Sequence, residues 1–170
     1  MNEQSYMTQV PDFQAKDLAS LDSQTNALVH SYRALTNDLL KHLRDGNLSA
    51  ERKVYAIYLL GQLRAASAAT LLIDNIDLKA SKLDHDGIGR WGPYPAQEAL
   101  TKIGTTAVNM VLDKLSFEKN ELRRQLMCSV ISDAVGNKAG EVMLKLRHDE
   151  EKALSHRANL EAAIRVMSKL

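Results

Sequence analysis

An all-α fold is predicted by three features of this 170-residue sequence: an excess of strong helix formers, apolar residues recurring at steps of three and four, and residues suited to helix caps between the apolar runs. Leu (25) and Ala (20) outnumber the β-branched Val, Ile and Thr (23 together) about two to one, a bias toward helix by intrinsic propensity. No stretch alternates apolar and polar residues between hairpin turn signals, as a half-buried strand would. The length suits one domain with a sizeable core, since chains of about 150 residues bury roughly 68–70% of their unfolded surface.

The elements follow in order. Leu28, Tyr32, Leu35, Leu39 and Leu43 form one stripe of an amphipathic helix, with Ser23 as its cap and Gly46 as its end. Ser49 precedes Ala50 and Glu51, so its hydroxyl can accept from an orphan backbone N–H while Glu51 faces the positive end of the helix dipole. The run Val54 to Leu60 is apolar on almost all sides, the pattern of a helix buried between neighbours. Pro95 suits a first helical position, where its missing N–H costs nothing, and Gly104 can end that helix in a left-handed conformation. Thr105 is expected to cap the next helix, to Leu115; Asn120 caps one that Gly136 ends; Asn137–Arg147 and Ala153–Lys169 complete the chain. Residues 1–22 read as an N-terminal arm or short capping helix around Phe13 and Leu18, and residues 23–170 as the domain.

The charge balance narrows the function classes. With 22 Lys+Arg against 21 Asp+Glu the formal charge is +1, which argues against a surface built throughout for a nucleic-acid backbone, since that calls for a large basic excess, and leaves room for a local basic patch. Clusters such as Lys119, Arg123 and Arg124 are interleaved with Glu118 and Glu121 and read as a solvated helix face. No run of about 18 apolar residues is present and the first residues lack a charged, then apolar, leader, so a cytoplasmic protein without a membrane span is expected. The single thiol, Cys128, sits in an apolar run and reads as a small buried side chain; one cysteine builds neither a disulfide framework nor a cysteine zinc site. No Ser-His-Asp order, His-Glu-x-x-His pair, phosphate-binding Gly loop or Cys-x-x-Cys occurs, and no metal or cofactor is expected.

The sequence also repeats itself. Ala56-Ile57-Tyr58-Leu59-Leu60-Gly61 aligns with Ala99-Leu100-Thr101-Lys102-Ile103-Gly104, and more loosely with Ile131-Ser132-Asp133-Ala134-Val135-Gly136, each read as a helix end closed by glycine. After each glycine comes a second apolar helix: Ala68, Leu71, Leu72, Ile73 and Ile76 match Ala107, Met110, Val111, Leu112 and Leu115, and the third copy keeps Ala139, Val142, Met143 and Leu144. Small side chains at Ala56, Ala99, Ala107 and Ala139 would let neighbouring helices approach closely. These units, Leu59-Leu60-Gly61 above all, resemble the HEAT-repeat family. The resemblance implies a short right-handed α-α superhelix of about three to four stacked helical hairpins, with end faces through which copies could self-associate. It is nearly silent on activity, because such repeats carry many unrelated functions.

One segment departs from the repeat. Residues 77–94 carry no helical stripe, and this connector holds three of the eight glycines and the only Trp; helix connections usually run about two to eight residues. Long loops on a rigid scaffold concentrate binding residues. His85, Asp86, Arg90, Trp91 and Tyr94 are therefore the candidate partner-binding residues, Arg and aromatics being enriched at interaction hot spots. Asp84-His85-Asp86-Gly87 lacks the spacing of a calcium loop. The expectation is a non-catalytic module or scaffold that binds a protein partner; the alternative is an enzyme or nucleic-acid module on the same scaffold, with its site near residues 79–94.

Overall fold

The computed structural model describes residues 18–45, 48–80 and 92–170, with side-chain environments from residue 27 onward. Among the described residues the chain is all-helical, with no strand: α1 Leu18–Arg44, α2 Ala50–Gln62, a 3₁₀ turn at Ala66–Ala68, α3 Ala69–Asp74, α4 Pro95–Ile103, α5 Thr105–Leu115, α6 Glu121–Val135, α7 Asn137–Glu150 and α8 Leu154–Met167.

Local chemistry sets most of these boundaries. Ser49 Oγ accepts from the Arg52 N–H at 3.4 Å and Asn120 Oδ1 from the Arg123 N–H at 3.1 Å, each satisfying a donor that the first turn leaves free. Pro95 opens α4. Two glycines do more than end a helix. Gly104 (φ 80°, ψ −144°) closes α4 and is the cap of α5, and Gly136 (φ 86°, ψ 151°) does the same between α6 and α7. Each donates its N–H backward, to Leu100 O at 3.2 Å and Ser132 O at 2.8 Å, and accepts forward, from Ala107 at 2.9 Å and Gly140 at 2.9 Å. A one-residue corner of this kind lies in backbone space that is essentially reserved for glycine. Thr105 is therefore the first residue of α5 and not its cap, since the corner geometry already belongs to Gly104.

Gly61 behaves differently from its counterparts in the repeat. It is helical, α2 runs through it to Gln62, and the chain turns at Arg64, a non-glycine residue at φ 48°. The Ala65 N–H reaches Leu60 O and the Arg64 N–H reaches Gly61 O, both at 3.0 Å, a Schellman ending with buried Ala65 against buried Leu60. Gly61 is needed for packing instead: a Cβ there would lie 2.8 Å from both Cα and Cβ of Ala99 on α4.

The core is one cluster running from Leu39, Leu40 and Leu43 on α1 to Leu160, Ala163 and Met167 on α8. α2 packs on α4, α4 on α6 and α6 on α8; α3 packs on α5 and α5 on α7; α1 lies against α2 and α3. Three sequence expectations shift. α1 begins at Leu18, so Ser23 lies within it, and its stripe is buried only from Leu39 onward, with Leu28 and Tyr32 38% and 39% exposed. α2 ends beside Tyr32, whose hydroxyl donates to Leu63 O at 2.7 Å, so the earlier turns of α1 pass beyond it. Ala139 is exposed and its neighbour Gly140 is the close-packed position, where a Cβ would meet Ile131 at 2.7 Å and Met167 at 3.1 Å. The partner helix of the first repeat is also short: the stretch from Ala66 folds as a 3₁₀ turn and the six residues of α3.

Candidate functional site

Of the five residues expected to bind a partner, His85, Asp86, Arg90 and Trp91 lie outside the described residues. Tyr94 is described. It stands at the cap of α4, half-buried and packed against the core. The two ends of its connector are held together: the Ala80 N–H donates to Pro93 O at 3.0 Å, Ala80 is buried, and the Gly92 N–H donates to the Glu98 carboxylate on α4. The connector's described ends, Ala80 and Gly92, thus lie at one place on the scaffold, beside the start of α4.

A second feature was not singled out in the sequence. Thr70 and Ile73 on α3, Met110, Asp113 and Lys114 on α5, and Phe117 just beyond it line an open groove of about 320 Å³. Met110, Asp113, Lys114 and Phe117 fall at i, i+3, i+4 and i+7, one face of a helix. Met110, aligned with Leu71 in the apolar helix of the repeat, is 37% exposed, and Phe117 is 63% exposed with its ring edge-on to His156 at 4.3 Å between centroids. On the neighbouring α7, Val142 and Leu146 are 56% and 60% exposed, one turn apart. The signal available in the sequence was the apolar side chain after the helix, at the same spacing as the charged pair before it.

The charges on this face satisfy each other. Lys114 Nζ lies 3.9 Å from Asp74, Arg147 pairs with Asp113 across α5 and α7, and Lys145 pairs with Glu141 along α7. Pairs this exposed add little to stability. They do give each of these charges an opposite partner beside the apolar side chains.

Beside the groove, Arg123 overturns its reading as a solvated cation. Its side chain is only 19% exposed; Nε donates to Glu118 at 2.9 Å, Nη1 to Asp77 at 2.6 Å, and Nη2 to Ile73 O at 3.0 Å. One guanidinium on α6 thereby satisfies the open carbonyl end of α3 and fixes the start of the long connector. Arg124 similarly donates to Glu118 O at 3.0 Å. Burial works against ionisation of Glu118, yet the Arg123 hydrogen bond and charge, with the Asn120 and Lys119 backbone, hold its carboxyl below the usual carboxylate range. A carboxyl depressed in the folded state stabilises above its unfolded value of 4.5 and loses that contribution as pH falls through the folded value. Melting temperature followed downward from pH 6 should fall less steeply for Glu118→Gln than for the parent chain; superimposable acid limbs would contradict this role.

Cys128, His148 and His156 are engaged in packing or in pairing among α6, α7 and α8. Cys128 is fully buried, its Sγ 3.6 Å from Ala163 O, and burial pushes the thiol up to about 12, with Arg124 acting weakly the other way. It is a neutral packing group at neutral pH. His148 lies 3.1 Å from Asp149 and 3.3 Å from Glu161, tying α7 to α8, and His156 lies 3.4 Å from Glu151 in the turn between them. Among the described residues, no group of three or more His, Cys, Asp or Glu is placed to hold a metal ion, and no helix is long and apolar enough to cross a membrane. No protein-family model matches the chain, and comparison with curated proteins and with solved structures finds no match.

Proposed function

We propose that the chain is a short HEAT-like superhelix serving as a non-catalytic protein-binding module, and that the face formed by α3, α5 and α7 receives the partner. The repeat reading is supported by the packing order: α2, α4, α6 and α8 succeed one another in contact, as do α3, α5 and α7, the relation expected when each hairpin stacks on the next. The binding reading rests on one observation, the exposure of Met110, Val142 and Leu146 on the second series of helices and of Phe117 just beyond α5, where the nearby charges are already paired. Exposed apolar side chains at helical spacing gain by being removed from water, whereas a nucleic-acid backbone would find no net positive field here.

Affinity capture with the intact chain, followed by mass spectrometry, supplies a partner for titration. Met110→Asp places a carboxylate on the groove wall at a position 37% exposed, removing the apolar contact, and a thermal melt matching the parent's checks that the fold is retained. The expected result is binding weaker by about tenfold or more, equivalent to about 1.4 kcal/mol. Lys102→Ala, on α4 away from this face, should bind as the parent does. Unchanged affinity of Met110→Asp for every captured partner would remove this face from the function.

A further inference from the structure

We draw no further inference here: the strongest candidate, the amino-terminal part of α1 that runs past the end of α2 and exposes Leu28 and Val29, carries nothing because nothing in the structure shows what covers that apolar face.

Discussion

Leu100→Ala is expected to lower the unfolding free energy by about 2–5 kcal/mol, the range for emptying a buried leucine site whose surroundings relax only in part. Leu100 is fully buried on α4, and α4 is touched by α2, α3, α5 and α6, so no single neighbour can move in without disturbing the others. Urea denaturation of the parent and the variant reads the difference directly. Leu59 is the useful comparison. It is only half-buried at the edge of the same cluster, and its truncation should cost clearly less. A loss below about 0.5 kcal/mol at Leu100, the scale of an ordinary surface substitution, would mean that α4 is not a central helix.

Gly61→Ala should also destabilise, by about 1–3 kcal/mol. The sign is the informative part, because helix propensity alone argues the other way: alanine in a helix interior is worth roughly 0.5–1 kcal/mol over glycine. The added methyl would sit 2.8 Å from Cα and Cβ of Ala99, atoms fixed to the α4 backbone, so two helices must separate to admit it. Gly140 makes a partial contrast: of the atoms nearest an added Cβ there, Met167 Cε ends a flexible side chain, whereas Ile131 Cγ2 belongs to a buried β-branched one that is stiff. Stabilisation by Gly61→Ala would show that α2 and α4 do not meet at this point.

What could be read from the sequence was whatever is decided within a few residues. Ser49 and Asn120 as caps, Pro95 as an opening residue, Gly104 and Gly136 as helix ends, and the extent of α4 follow from local hydrogen bonding and backbone sterics, and they reappear in the structure. Gly61 was misread because one letter serves two purposes. A glycine that turns the chain and a glycine that admits a neighbouring helix are identical in sequence, and alignment with Gly104 concealed the difference; only the position of Ala99 across the interface reveals it. Ala139 and Gly140 show the same limit at finer grain, since a one-residue step rotates a helix position by about 100° and exchanges a packed site for an open one.

The candidate binding face was legible only in part. Met110 and Val142 carry the residue types of a core, yet they are 37% and 56% exposed, because tertiary packing and not residue type decides which side of a helix is covered. Arg123 reads as solvated by composition because its partners, Ile73 O and Asp77, come from a segment nearly fifty positions earlier in the chain. Four of the five residues proposed on the connector fall outside the described residues, whereas the neck that anchors it, Ala80 with Pro93, is a tertiary contact with no sequence signature.

The binding face exists only if successive hairpins stack through α2, α4, α6 and α8. Nuclear Overhauser effects on the intact chain report that stacking without any substitution. Strong cross-peaks are expected between the Gly61 α-protons and the Ala99 methyl, across α2 and α4, and between the Cys128 β-protons and Ala163, across α6 and α8. If Gly61 and Ala99 show no cross-peak while both helices are formed by their backbone shifts, the hairpins do not stack in this order and the proposed face is not assembled.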